Sequence, residues 1–138
     1  MKLSKHFELV EFTKSQTADL KHIDNTPSEQ VIRNLQSLCE LILEPLRETI
    51  NVPVFITSGY RSRVLNKVVG GAGNSQHMSG HAADIRPANY DIDKCIAILK
   101  ENKYVDQCID ERRNQGKTRW IHVSWSNAPR HQFFKISK

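Results

Sequence analysis

Three residues in the second half of the chain, His77, Asp84 and His122, are of types that bind metal ions. His77 and Asp84 lie seven residues apart in the segment SQHMSGHAADI, and Gly80 between them allows the chain to turn back on itself. His and Asp at such a separation are common on protein surfaces, so the pair alone is a weak sign of a site. A catalytic metal centre needs a third protein ligand and one open position for water.

The segment WIHVSW supplies that third ligand. Alternation along a β-strand directs Ile121 and Val123 to one face and His122 to the other. The apolar pair is expected to face helices, so that His122 points from the open face. Alone, this residue would be interpreted as a satisfied strand histidine; together with the other two ligands it indicates a metal site.

Helical and extended segments alternate along the chain and must position these residues. The run Thr26-Pro27-Ser28-Glu29 is typical of a helix start, because Thr26 can accept a hydrogen bond from the Glu29 amide and Pro27 needs no amide partner. Pro45 is expected to kink or end this helix. Apolar residues recur at helical spacing along it: Val31, Leu35, Leu38, Ile42 and Leu46.

Five further elements and a turn complete the predicted fold. They are a β-run at 52–57, a helix opened by Ser62 and closed by Gly70-Gly71, a helix from about 91 to 102, and β-runs at 105–110 and 119–125, the last two joined by the turn RRNQGK with Gly116. We therefore predict an α+β fold over residues 1–138 as a single domain. Its small, mainly antiparallel sheet has helices packed on one face and the metal site on the open face.

Composition excludes several classes of protein. A chain of 138 residues with 38% hydrophobic content can bury one core, and no run approaches the roughly 20 apolar residues of a membrane span. The start, MKLSKHFELVEF, lacks the apolar run of a signal peptide, so we expect synthesis in the cytoplasm. Three cysteines form no metal or disulfide pattern and are interpreted as reduced core residues: Cys39, Cys95 and Cys108.

The segments SGYRSRVLNKVVGG, SQHMSGHAADI and WIHVSW together resemble the zinc D-alanyl-D-alanine metallopeptidase family, in the bacterial and phage branch that acts on peptidoglycan peptides. The resemblance extends upstream to HFELVEFTKSQTA and so covers nearly the whole chain. It implies that His77, Asp84 and His122 hold Zn²⁺. The family pattern Ser-x-His-x-x-Gly-x-Ala-x-Asp is met by Ser75, His77, Gly80, Ala82 and Asp84.

The resemblance also implies that Arg61 lies near the substrate and stabilises the oxyanion. A guanidinium on the tight SGYR turn presents fixed donors to a carbonyl oxygen that gains negative charge, or to a terminal carboxylate. The alternative is an ordinary turn arginine that caps a carbonyl. Ser75 is expected to shape the ligand loop, because no His and Asp pair is left to activate it as a nucleophile.

A metallopeptidase also needs a general base to carry a proton from water to the leaving amine. Many family members have an acidic residue three positions before the last His, but that position is Arg119 here. The run VDQCIDE resembles the segment that other members end with Glu, so Glu111 is the predicted base. Asp110 is the second candidate, because alternation along this run does not settle which of the two faces the metal, and Asp106 is the third.

Four residues are expected at the substrate, of which His81 lies at the rim of the site: Ser75, His81, Tyr60 and Trp120. His6, His22 and His131 are interpreted as surface or capping histidines.

The predicted function is zinc-dependent hydrolysis of a peptide bond involving D-alanine in peptidoglycan stem peptides or cross-links, as an endo- or carboxypeptidase. We expect a monomer that reaches the wall by phage-type lysis, in the manner of an endolysin, or by another export route. The alternative is an inactive module that binds wall peptides or builds a phage particle. A nucleic-acid partner is not predicted, since only the net charge of +5 favours it and no motif does.

Overall fold

A five-stranded sheet organises the fold in the computed structural model, which describes residues 1–138. Its order is β1-β2-β4-β3-β5; the first three pairings are antiparallel, and β5 runs parallel to β3. The predicted α+β fold with a mainly antiparallel sheet is therefore confirmed. The strands are β1 Val54–Ser58, β2 Ala82–Pro87, β3 Val105–Arg113, β4 Thr118–Trp125 and β5 Gln132–Ser137.

The chain also forms six α-helices, one π-helical turn and one 3₁₀ helix. None of these helices has the length and apolar character needed to cross a membrane. They are α1 Leu9–Thr13, α2 Gln16–Leu20, α3 Glu29–Leu38, the π turn Cys39–Leu43, α4 Glu44–Ile50, α5 Arg63–Val68, the 3₁₀ helix Gln76–Ser79 and α6 Ile92–Lys100.

Helix α3 begins two residues later than the sequence predicts. Ser28, in extended conformation, is the N-cap, and its hydroxyl accepts a hydrogen bond from the Val31 amide at 3.2 Å. The amide of Thr26 instead donates to Asp24, which places Thr26 in the turn before the helix. The expectation that Thr26 caps the helix is therefore wrong, although the helix itself forms where its apolar spacing predicts.

The helix does not end at Pro45. The chain widens into the π turn Cys39–Leu43 and then continues as α4 through Ile50. Pro45 has no amide to offer the carbonyl of Leu41, four residues earlier. The side chain of Asn102, two residues after the end of α6, donates to that carbonyl at 2.8 Å and satisfies the acceptor that proline leaves free.

One continuous apolar core lies between the sheet and helices α3, α4 and α6. Ile85, Ile121 and Val123 point into it from the sheet and are completely buried. The three cysteines are also buried and unbridged, in agreement with their interpretation as core residues. Burial raises the pKa of Cys95 to about 11 and that of Cys108 to about 12, so both thiols stay protonated. Helices thus cover one face of the sheet, as predicted.

Candidate metal centre

The structure brings His77, Asp84 and His122 together on the other face of the sheet. Oδ1 of Asp84 lies 3.3 Å from Nε2 of His77 and 3.1 Å from Nδ1 of His122. One ligand atom from each of the three residues lies within 4.8 Å of the others. Asp84 on β2 and His122 on β4 are direct cross-strand partners, so the sheet register fixes their separation.

His77 reaches the site from the 3₁₀ helix that precedes β2. Its backbone amide donates to the hydroxyl of Ser75 at 3.2 Å, and its Nδ1 lies 2.7 Å from the carbonyl oxygen of Gly59. A carbonyl only accepts, so this contact places the proton on Nδ1 and leaves Nε2 to face Asp84. The Ser75 hydroxyl thus contacts the backbone of the 3₁₀ helix at the residue that carries the first candidate ligand.

Gly59 is a supporting residue that the sequence analysis did not identify. A Cβ at this position would overlap the backbone of Phe12, so only glycine allows the chain directly after β1 to pass helix α1 this closely. Its carbonyl then orients the ring of His77. The glycine in SGYR was the available signal, but a backbone acceptor has no side-chain signature.

Gly80 provides the turn between the first two ligands. Its φ of 78° lies in the left-handed region, and a Cβ there would come within 2.7 Å of the Val31 carbonyl oxygen. The chain can therefore leave the 3₁₀ helix and enter β2 at Ala82, which puts Asp84 in register with His122. The predicted glycine turn is present.

The electrostatics of the site favour an ionised carboxylate. Burial raises the pKa of Asp84, but the two imidazoles next to its carboxylate outweigh that effect and hold the pKa well below its usual range. Two imidazole nitrogens and one carboxylate oxygen are donors typical of zinc sites. With the Nδ1 proton of His77 directed at Gly59, three donors converge on one point, and this set fits a zinc ion.

Both the backbone and the side chain of Arg61 form hydrogen bonds with the 3₁₀ helix that carries His77 or with its N-cap. Its amide donates to the carbonyl of His77 at 3.1 Å, and its Nη2 donates to the hydroxyl of Ser75 at 3.3 Å. Burial lowers the pKa of Arg61, while the nearby charges of Asp84 and Glu111 raise it. The guanidinium forms no bond to a carbonyl and its buried Nε has no partner, so the carbonyl-capping interpretation is not what the structure shows.

The two candidate bases on β3 point to opposite faces of the sheet. Glu111 is the cross-strand partner of Trp120, on the same face as His122, and its Oε2 accepts a hydrogen bond from Trp120 Nε1 at 3.1 Å. Asp110 is paired with Ile121 on the helix-covered face, where only 5% of it is exposed. The geometry therefore favours Glu111 over Asp110 as the group near the metal site.

Arginine side chains form ion pairs with the two other carboxylates of β3, those of Asp110 and Asp106. Asp110 binds Arg112 at 2.9 Å and Arg119 at 3.0 Å. Asp106 accepts three hydrogen bonds from Arg130, and these bonds lower the pKa of Asp106 to about 2 even though burial opposes them. A carboxylate held this way is a poor proton acceptor at neutral pH.

The remaining residues expected at the substrate differ in their surroundings. Tyr60 is half-buried and lines a groove of about 630 Å³ that also includes Arg61 and the α1–α2 segment. Trp120 is half-buried beside Glu111. His81 packs against Trp125, with ring centroids 4.8 Å apart, and its Nδ1 lies 2.6 Å from the Ser79 hydroxyl. Its ring is therefore held by contacts with other residues of the protein.

Comparison with known proteins adds two findings. The profile of the peptidase M15 family matches residues 5–124, a span that includes all three ligands, Arg61 and Glu111. A zinc D-Ala-D-Ala carboxypeptidase from Streptomyces albus G is 54% identical over 33 residues, which are 24% of this chain and 13% of that protein. The matched part is thus a small portion of that relative. With a family match over most of its length, this chain belongs to the peptidase M15 family.

Proposed function

We propose that this chain is a zinc metallopeptidase that hydrolyses a peptide bond involving D-alanine in peptidoglycan stem peptides or cross-links. The observation that carries the proposal is the convergence of His77, Asp84 and His122 within 4.8 Å on one face of the sheet. Membership of the peptidase M15 family supports peptide hydrolysis. The similarity to a zinc D-Ala-D-Ala carboxypeptidase supports zinc and the substrate class.

In this proposal the three ligands hold zinc, and each has a defined orientation. When bound, zinc supplies a Lewis acid and lowers the pKa of an attacking water toward about 7. Gly59 fixes the tautomer of His77, and the sheet register fixes Asp84 against His122. The site needs no covalent intermediate with the protein.

Glu111 and Arg61 perform the proton transfer and charge stabilisation. One oxygen of Glu111 is held by Trp120, which leaves its Oε1 free to take a proton from water and deliver it to the leaving amine. Arg61, held by Ser75, directs its guanidinium donors at the carbonyl oxygen as negative charge develops there. Both side chains are close enough to interact electrostatically.

Charge supports action at the cell wall. The net charge of +5 favours approach to an anionic wall. We extend the proposal to a monomer released by phage-type lysis or another export route. An inactive wall-binding or particle-building module would have no need for a complete ligand set with an oriented histidine and a nearby acid, so we favour the enzyme.

The direct test is to incubate the zinc-loaded protein with digested peptidoglycan and to measure product masses. We expect fragments whose summed mass exceeds that of the parent by one water per cut. The chelated protein should be inactive until zinc is restored. Tight binding of the fragments with unchanged masses would instead support the inactive module.

A further inference from the structure

A cation held between two exposed aromatic rings lies on the same face of the sheet as the metal ligands. The guanidinium of Arg86 is 5.1 Å from the ring centroid of Phe55 and 4.4 Å from that of Tyr90. The two aromatic residues are 45% and 55% exposed. Such cation–π contacts fix the plane of a guanidinium without using its hydrogen-bond donors.

The donors of Arg86 have no carboxylate partner within the chain. Arg112, Arg119 and Arg130 each form an ion pair with an aspartate, but Arg86 forms none. A planar guanidinium with free donors is suited to bind a carboxylate through two parallel hydrogen bonds.

Tyr90 adopts a backbone conformation that bulky residues rarely take. Its φ is 58°, in the left-handed region, and two backbone hydrogen bonds hold it there: its amide donates to the Pro87 carbonyl at 3.0 Å, and its carbonyl accepts from the Ile92 amide at 2.9 Å. Strain of this kind often marks a functional position. Here it places an exposed ring over Arg86.

The sheet register locates this cluster relative to the metal site. Arg86 follows Asp84 by two residues on β2, so both side chains point from the open face, about 7 Å apart along the strand. Phe55 on β1 is the cross-strand partner of Arg86. An extended peptide spans this separation with about two residues.

We propose that Arg86, held between Phe55 and Tyr90, binds a free carboxylate of the substrate about two residues from the scissile bond. This inference rests on the proposed function for the identity of the ligand as an acidic wall peptide. The site then selects among stem peptides by charge.

The test uses two D-alanine-containing stem peptides that differ in one group. One carries a free α-carboxylate on its γ-linked glutamate, and the other carries the corresponding amide. The zinc-loaded protein should prefer the free acid by about tenfold in kcat/KM, mainly through KM, as expected for a charge-assisted pair of hydrogen bonds. Arg86→Gln should remove most of that preference.

Arg33→Gln is the matched control, because Arg33 is an exposed arginine of α3 whose side chain bonds only Gln30. It should keep the preference. Tyr90→Asn, which tolerates the left-handed backbone but lacks the ring, should reduce the preference partly while circular dichroism stays unchanged. An equal rate on both peptides in the wild type, or an unchanged ratio in Arg86→Gln, would overturn the assignment.

Two further outcomes separate this inference from the proposed function. If neither peptide is cut, calorimetry on the same pair still tests Arg86: a preference for the acid that Arg86→Gln loses would uphold the carboxylate site while the hydrolytic proposal fails. If both peptides are cut equally, the hydrolytic proposal stands and the carboxylate site fails. Arg86-dependent binding of single-stranded DNA without any peptide preference would also overturn it in favour of nucleic acid.

Discussion

The two faces of the sheet carry different kinds of residue although the same strands build them. On the helix-covered face, Ile85, Ile121 and Val123 are completely buried in the apolar core. On the open face, Asp84 and His122 alternate with them along β2 and β4 and form the candidate metal site. Because side chains alternate along a strand, neighbouring residues of β2 and β4 belong in turn to the core and to the candidate site.

The carboxylates at 110 and 111 show how sharp this separation is. Asp110 lies on the helix-covered face and is engaged by two arginines, whereas Glu111 lies on the open face beside Trp120. Mutations of these two adjacent residues should therefore change different properties: turnover for Glu111 and stability for Asp110.

The largest expected effect tests this contrast. Glu111→Gln should reduce turnover by roughly two to four orders of magnitude, the usual contribution of a positioned acid or base, with zinc content and melting temperature unchanged. Asp110→Asn should change turnover little and lower stability instead, because it weakens contacts with Arg112 and Arg119. The opposite ranking would mean that chemistry depends on the helix-covered face.

A mutation in the core tests the other face. Leu35 of α3 is completely buried, so Leu35→Ala should lower the free energy of unfolding by about 2–5 kcal/mol. The folded fraction should still bind one zinc ion and keep its turnover. Urea denaturation measures the loss, and a change in zinc stoichiometry of the folded protein would show that the faces are coupled.

The acid dependence of stability tests the Asp106–Arg130 pair. The folded pKa of Asp106 is depressed to about 2, so its contribution is full above the pKa of an unfolded aspartate and is lost as pH falls toward 2. Arg130→Gln should thus lower the free energy of unfolding at neutral pH, and its gap to the wild type should narrow below about pH 4. Urea titrations at several pH values measure this gap; a pH-independent gap would argue against the pair.

The smallest effect concerns Arg61. Arg61→Lys should leave fold and zinc content intact and slow turnover by more than about tenfold, because an ammonium lacks the planar set of donors. Separate measurement of kcat and KM shows whether Arg61 acts in the transition state or holds a ground-state carboxylate. An unchanged rate would leave it a purely structural role.

The sequence was sufficient to name the three candidate ligands and insufficient for their surroundings. Ligand chemistry and strand alternation indicate His77, Asp84 and His122 as candidates, and the resemblance to a zinc peptidase family groups them into one site. Strand alternation could not choose between Asp110 and Glu111, because the register of β3 shifts between Val105 and Cys108 and changes the phase of the alternation.

Other features depend on contacts that are distant along the chain. Gly59 acts through a backbone carbonyl, which no residue type encodes, and strand β5 is defined by its parallel pairing with β3. Ser28, not Thr26, is the N-cap of α3, because the amide of Thr26 donates to Asp24 in the preceding turn. Local propensity identifies candidates for each role, and long-range packing decides among them.

Zinc titration of the metal-free protein tests the central claim most directly. Calorimetry should show one zinc ion per wild-type chain at neutral pH, with weaker binding as pH falls because protons compete for the imidazoles. Binding should be lost in His77→Ala and in His122→Ala and kept in His81→Ala, whose ring packs on Trp125 instead. A wild-type protein that binds no stoichiometric zinc, or a His77→Ala protein that retains it in full, would contradict the account.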